Sequence, residues 1–374
     1  MAAVLVVGGG MIGASVAFRA AQAGADVTLI DAGGIGQGAS VVGFGSIFAS
    51  NKNDHDYYQL NVAGMGEHLR LKNELGHAPW LHQVGSIQWE RDGGARDYVG
   101  NFEPLNEVAT RLRSWGYKAE TLPGSELRYL EPDIVLPAEV EEFVYYADEG
   151  YVDPVLYIGT VLGLARDLGA TIRSNCAVTE FIREGDAITG VKTSSGETIH
   201  AGTVVLCTGR WTDEVAKLAG IEFPMSPWLG ITMISSPVPA RLNSVVKDGL
   251  SAFRPDGAGR VFMHHNDFDD MVQPDNPDDP SPEVKADLLN RVAEILPQIR
   301  DAEIESARIA VRPVPGGDHN SAVGPVPGLD GLYFAVSHSG INLGPLLGRL
   351  AAGEILSGKP YERLERFRPA RLIS

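Results

Sequence analysis

Cysteine is nearly absent from this chain: Cys176 and Cys207 are the only two in 374 residues. Two thiols build no disulfide framework and lack metal-ligand spacing, which points to a reducing compartment and a cytoplasmic location. Basic charge is also scarce, with 31 Lys and Arg against 48 Asp and Glu and a formal net charge of −17. That balance excludes a nucleic-acid backbone as partner, because such binding needs a concentrated basic surface. An anionic substrate must therefore be attracted by local cations. No apolar run approaches the ~18 residues of a membrane span. The chain enters its first apolar run at once, without the charged and apolar regions of a secretory leader. No internal repeat or low-complexity tract appears.

What the chain does have is glycine, 44 residues in all, with a dense group near the start. The apolar run Ala2 to Val7 leads into Gly8-Gly9-Gly10-Met11-Ile12-Gly13, then a helix-period stretch to Ala23, then Val27 to Ile30 ending in Asp31. That order is a βαβ unit, with G-x-G-x-x-G where a strand gives way to a helix. One glycine permits the tight turn, one lets a pyrophosphate approach the backbone, and one lets the helix lie close to the strand. The helix N-terminus offers unpaired N–H groups and a positive dipole end. Asp31, about twenty residues on, stands where a ribose is bound. Residues 32–46 then carry six glycines, a density that marks backbone passing close to a ligand.

Length suggests two domains, or three, with sizeable cores, and 44% hydrophobic with 21% charged residues is an ordinary globular composition. Apolar spacing predicts helices over 54–76 and 95–116, and another opening after Pro123. Trp80, Trp89 and Trp115 read as core. A helix is expected over 154–168, with Asp153 as N-cap and Gly169 as stop. Strands follow at 176–182 and 203–207, the latter returning to the first sheet, which makes the first domain discontinuous. Residues 223–301 are strand-rich, with strands at 228–235, 252–254 and 260–265, an acidic proline-rich loop at 266–282 and a helix over 282–296. The chain closes with a strand at 331–336, the turn Ser337 to Pro345 and a small-residue helix to Leu356. This repeats the opening device of strand, glycine turn and helix N-terminus.

These pieces, in this order, resemble the family of FAD-dependent amine and amino-acid oxidoreductases that includes D-amino acid oxidase, glycine oxidase and sarcosine oxidase. The resemblance rests on Gly8 to Gly13 with Asp31; Gly38-Ala39-Ser40 with Gly45-Ser46; Val152-Asp153-Pro154; Val178; Thr208-Gly209 with Trp211; Arg312-Pro313; and Gly340 to Pro345. It implies an α/β (α+β) fold: a Rossmann-like FAD-binding domain, with a second, mainly antiparallel β-sheet substrate domain. The first comprises residues 1–84, 150–222 and 305–374, the second 85–149 and 223–304.

By the same resemblance, Gly8, Gly10, Met11, Ile12 and Gly13 hold the pyrophosphate of non-covalent FAD, and Asp31 with Ala32 the adenosine ribose. The Val178 backbone meets the adenine, while Thr208, Gly209 and Trp211 flank the phosphate side. Ala39, Ser40, Gly45 and Ser46 line the isoalloxazine, and Gly340, Ile341, Asn342 and Leu343 bring a helix N-terminus to its N1–C2 edge. Arg312 corresponds to a planar fork that binds the substrate carboxylate two-handed. His264 and His265 alternate along one strand, so at most one faces the pocket. Such a histidine keeps the amine neutral or steers it, or else is a hydrogen-bonded packing residue. His338 carries the same two readings. The implied activity is hydride removal from the carbon beside nitrogen in a small amino acid or N-alkyl amino acid, giving an imine that hydrolyses, with oxygen or an electron carrier as acceptor.

Departures from the family leave the substrate open. Residues 258–266 hold no lysine, Asn342 stands where relatives have a lysine in the terminal turn, no cysteine lies near Arg312, and Ala252 stands in place of a roof tyrosine. A dehydrogenase with a non-oxygen acceptor, a 2-hydroxy acid substrate, or a non-catalytic FAD-binding subunit are the alternatives, in a homo- or hetero-oligomer.

Overall fold

The opening apolar run becomes the strand Ala3–Val7, in the interior of a six-stranded sheet. The computed structural model describes residues 2–90, 94–265 and 280–373. The order across the sheet is Thr171–Arg173, Asp26–Ile30, Ala3–Val7, Thr203–Leu206, Leu332–Val336 and Ala322–Pro325. The first five strands are parallel and the sixth is an antiparallel edge. Parallel strands need cover on both faces, and alternate side chains divide accordingly. Val4, Val6, Leu29 and Val205 pack under the helices Met11–Gln22, Pro154–Asp167 and Gly340–Ser357. Leu5, Val7, Val204 and Leu206 pack under the meander Val178–Glu184, Ala187–Thr193 and Thr198–His200 and the short helix Thr212–Leu218.

The second sheet has eight strands, in the order Ile304–Val311, Leu229–Ser235, Val261–His265, Ser251–Pro255, Val245–Lys247, Ser86–Gln88, Glu142–Tyr146 and Glu120–Pro123. Its pairs are antiparallel except Val245–Lys247 with Ser86–Gln88. The helix Pro282–Ile295 covers one face, with Leu288 and Val292 in one buried cluster with Phe253 and Met263.

Several local readings of the sequence hold. His55–Leu75 is one helix, capped by the Asp54 carboxylate accepting from Tyr57 N–H at 2.9 Å and ended by Gly76 at φ 75°. Asp153 caps Pro154–Asp167 in the same way, accepting from Leu156 N–H at 3.0 Å. Trp80 and Trp89 are fully buried. The helix expected over 95–116 is shorter. Its first residues form a small hairpin, Ala95–Arg96 against Phe102–Glu103, turned by Gly100 at φ 99°, and the helix runs Leu105–Ser114 after Pro104. The strand expected at 176–182 runs Val178–Glu184. Most of the acidic loop at 266–282 lies outside the described residues, as far as residue 279.

The first and last helices meet at very short range. A Cβ on Gly348 would stand 2.3 Å from Ser15 Cβ, and one on Gly344 3.3 Å from the Met11 backbone. Ser15 avoids leaving a polar orphan there by donating to Met11 O at 2.6 Å and pairing with Tyr157 Oη at 2.7 Å. Among the described residues no helix is long and apolar enough to cross a membrane. Gly348→Val forces the two helices apart and is expected to destabilise the protein by about 1–3 kcal/mol, as overpacking does, seen as a lower midpoint of thermal unfolding by circular dichroism. An unchanged midpoint would show that the helices separate freely.

Candidate active site

The opening turn is tight because its backbone has no room for side chains. Gly8 sits at φ 105° with a would-be Cβ 2.4 Å from Cys207 O, and a Cβ on Gly13 would stand 1.8 Å from Gly8 O. The helix that follows starts at Gly10 with no side-chain cap and no acidic residue in its first turn. Met11 N–H donates to Ser40 Oγ at 3.1 Å, so the glycine-rich loop reaches this helix end. Asp31 closes the group, its carboxylate accepting from Gly9 N–H at 2.7 Å and Gly33 N–H at 2.9 Å, with Ala32 exposed beside it. Thr208 lies against Gly8, and the Trp211 ring covers Gly38. Asp31 O accepts from Cys176 N–H at 2.7 Å, which brings in the start of the Val178 strand. The structure thus gathers the residues expected at one end of a dinucleotide.

The closing turn lies beside it, since a Cβ on Gly340 would stand 3.5 Å from the Ile12 side chain. Ser339 begins the last helix without a side-chain cap. Gly340, Ile341 and Asn342 line a cavity of about 820 Å³, together with Ala39, Ser40, Gly45 and Ser46 from the glycine-rich loop and His264 and Arg312 from the second sheet. Leu343 instead turns into the helical core. Asn342 Nδ2 is committed to Asn61, at 3.0 Å to its carbonyl and 2.9 Å to Oδ1. The second sheet clamps the loop: the buried Arg254 donates from Nε to Phe44 O at 2.8 Å, and Thr232 Oγ1 donates to Val42 O at 2.7 Å.

Arg312 follows the strand Ile304–Val311, and its backbone N–H donates to Trp228 O at 2.7 Å. Its guanidinium crosses Gly230, where a Cβ would come 2.8 Å from Nε. Nη2 donates to His264 Nε2 at 2.9 Å, which makes that ring nitrogen an acceptor and puts the proton of the neutral ring on Nδ1. Alternation separates the two neighbouring histidines. His264 lines the cavity. His265, 1 % exposed, points to the other face, where its Nε2 meets Arg291 of the helix Pro282–Ile295 at 3.3 Å. His265 therefore leaves the candidate set. His338 lines the cavity with a buried Nδ1 that has no hydrogen-bond partner among the described residues. Burial, then Arg312 and Lys52, hold its imidazole well below the usual histidine range, so it is neutral.

Sequence reasoning passed over the groups on the cavity's other wall. Glu149 is fully buried and saturated with donors: Ala49 and Ser50 N–H at 3.2 and 2.9 Å, Tyr117 Oη at 3.1 Å, Ser86 Oγ at 2.5 Å and Lys247 Nζ at 3.0 Å. Burial pushes its carboxyl up, but Lys247 and the serine donors more than reverse this and hold it below the ordinary carboxylate value. Lys247 lines the cavity over the Phe48 and Tyr146 rings, at 4.3 and 4.8 Å. Lys52 also lines the cavity, and so does Trp228 beside Arg312. Lys52, Glu149, Trp228 and Lys247 are separated in the sequence and share no motif. The cavity is lined by the Arg312 guanidinium, the amino groups of Lys52 and Lys247 and the neutral imidazole of His338. Among the described residues no His, Cys, Asp and Glu cluster is fit to hold a metal.

Comparison with known proteins agrees with this geometry. The family model described as FAD dependent oxidoreductase matches residues 3–354. The chain is 28% identical to a glycine oxidase of Pseudomonas aeruginosa, over 95% of each chain. It is 26% identical to the 4-methylaminobutanoate oxidase (formaldehyde-forming) of Paenarthrobacter nicotinovorans, over 95% of this chain and 44% of that protein. In fold it matches the crystal structure of L-proline dehydrogenase from P. horikoshii with a TM-score of 0.83, at 22% identity, covering 99% of this chain and 97% of the other.

Glu149→Gln leaves the Lys247 ammonium buried without its anion, and removing one partner of such a pair costs about 3–5 kcal/mol. Because the folded carboxyl is held below its unfolded value, its contribution is present above about pH 4.5 and is lost as the pH falls through the folded value. Thermal unfolding from pH 7 to pH 3 is expected to show a wild-type midpoint that falls in acid and a Glu149→Gln midpoint that is lower at pH 7 and flatter with pH.

Proposed function

Because the chain belongs to the family of FAD-dependent oxidoreductases, we propose that it oxidises the C–N bond of a small amino acid or N-alkyl amino acid to an imine that hydrolyses in water. The observation that carries this reading is Arg312 paired with His264 in a cavity that the glycine-rich loop and the closing turn also line. A guanidinium in that place binds a carboxylate through two parallel N–H groups and fixes the α-carbon in space.

The residues present fit FAD. The uncapped helix end at Gly10 to Gly13, with the Ser40 hydroxyl beside it, suits a pyrophosphate. Each Asp31 oxygen holds one backbone donor and keeps a lone pair for a ribose hydroxyl. Val178, Thr208, Gly209 and Trp211 flank that half. Gly45, Ser46, Gly340, Ile341 and Asn342 attend the isoalloxazine. In this division residues 1–84, 150–222 and 305–374 build the cofactor side and residues 85–149 and 223–304 most of the substrate side, while Lys52, Arg312 and His338 reach the substrate from the first group and the strand Ile304–Val311 joins the second sheet. When bound, FAD supplies the acceptor for the two electrons and the hydrogen leaving carbon.

The protein's own part is positioning and charge. Arg312 and Lys52, which add to burial in holding His338 neutral, act on a substrate ammonium in the same sense, since like charge favours loss of its proton. The amine is thereby held in its reactive, uncharged form, and His338 Nδ1 is a polar partner that brings no charge of its own. The reducing, cytoplasmic setting agrees with the two free, buried cysteines. The acceptor is oxygen or a carrier, which the rate of flavin reoxidation by oxygen in stopped flow separates.

Anaerobic mixing with D-, L-, N-methyl and cyclic amino acids is expected to bleach the flavin absorbance with at least one of them. No bleaching with any amine or 2-hydroxy acid would leave an FAD-binding subunit without catalysis. Arg312→Ala is expected to retain FAD and to raise the substrate KM by roughly 10- to 100-fold, the loss of a charged hydrogen bond. An unchanged KM removes Arg312 from the site.

A further inference from the structure

The cavity holds more positive charge than one carboxylate uses. Lys52, 4 % exposed, follows the short strand Ser46–Ile47 and lines the cavity. Its ammonium lies 4.8 Å from the centre of the Tyr98 ring and 5.4 Å from that of Tyr57. It makes no hydrogen bond and no ion pair among the described residues; Glu149, Asp97 and Lys247 act on it only through space.

Both carboxylates are already engaged. Glu149 is saturated as described, with Lys247 as its counter-ion. Asp97 accepts from the backbone N–H groups of Val99 and Asn101 at 2.9 and 2.8 Å, from Asn101 Nδ2 at 3.0 Å and from Asn53 Nδ2. Two ammonium groups thus share one fully buried carboxylate. Removing an ammonium from water costs far more than a cation over aromatic rings recovers. The rings alone do not balance it, and burial accordingly pulls Lys52 down to about 7.

Lys52 and Arg312 come from different parts of the chain but act on the same imidazole, that of His338. We propose that Lys52 is a second anion-binding subsite of this cavity and that the substrate carries two carboxylates, one held by Arg312 and the other by Lys52, as in a dicarboxylic or N-carboxyalkyl amino acid. This rests on the amine-oxidation reading and on the role given there to Arg312. The second carboxylate restores the counter-ion that Lys52 lacks, and Tyr57 and Tyr98 screen the pair from water. In a chain of net charge −17, such a local receptor is what lets a dianion enter.

The test compares N-methylglycine with N-carboxymethylglycine, which differ by one carboxylate, in anaerobic flavin reduction by the FAD-loaded wild type, Lys52→Met and Lys52→Arg. The wild type is expected to bind the dicarboxylate at least ~10-fold tighter. In Lys52→Met the loss of affinity for the dicarboxylate should exceed the loss for N-methylglycine by roughly 10- to 100-fold, and Lys52→Arg should recover most of it. Titration of the oxidised flavin spectrum with succinate and with acetate gives the same comparison without turnover. If no amine reduces the flavin, the oxidation reading falls and the succinate titration still decides the subsite. If the wild type binds mono- and dicarboxylates equally in both measurements, the subsite is overturned while the oxidation reading stands; that result needs no variant to fold.

Discussion

Where the opening helix crosses the closing one, Gly348 lies so near Ser15 that no side chain fits between them, and the site is assembled around this contact. Backbone against backbone places many atoms at dispersion distance and leaves little freedom to slide. The strands on which the two helices rest, Ala3–Val7 and Leu332–Val336, flank Thr203–Leu206 in one sheet. The glycine turns preceding the helices are therefore held at neighbouring strand ends. Two helix N-termini more than 300 residues apart in sequence thereby become neighbours.

The second sheet supplies what the first lacks. Parallel strands end in turns rich in N–H groups, which suit phosphates and ring carbonyls but provide no mobile charge. Arg312 and Lys247 come from the antiparallel sheet and its immediate continuation, and Arg254 ties the glycine-rich loop to it through Phe44 O. Lys247, Glu149 and Ser50 form a buried polar knot between that sheet and the segment leading to Lys52. The ammonium of Lys52 is thereby carried on a rigid base. Rigid placement matters for any group that has to meet a small substrate, since a misplacement of about 1 Å is enough to lose most of the advantage of proximity.

Much of this was readable from residue order. The first βαβ unit, the return strand at 203–207, the closing turn and the helices at 55–75 and 154–167 follow from spacing, caps and glycine stops, all of which are local. Strand alternation also predicted that His264 and His265 part company, though not which one meets the cavity; that depends on which face the helix Pro282–Ile295 covers. The helix expected from residue 95 failed because Gly100 and Pro104 redirect the backbone, so the apolar spacing there serves a hairpin first. Lys52, Glu149 and Lys247 were illegible for a different reason. A buried ion cluster is made by tertiary contact, and nothing in the neighbourhood of any one member announces the other two.

The place of Thr203–Leu206 has a consequence for how the chain is made. Its partner on one side, Ala3–Val7, precedes it in the chain, but its other partner, Leu332–Val336, follows more than a hundred residues later. Until Leu332–Val336 has been made, Thr203–Leu206 presents an unpaired parallel edge of almost wholly apolar residues. Such an edge invites pairing with a second nascent chain. Closure of the six-stranded sheet is thus a late, long-range event, slow by its topology, and the last parallel strand guards the folding chain as well as completing the sheet.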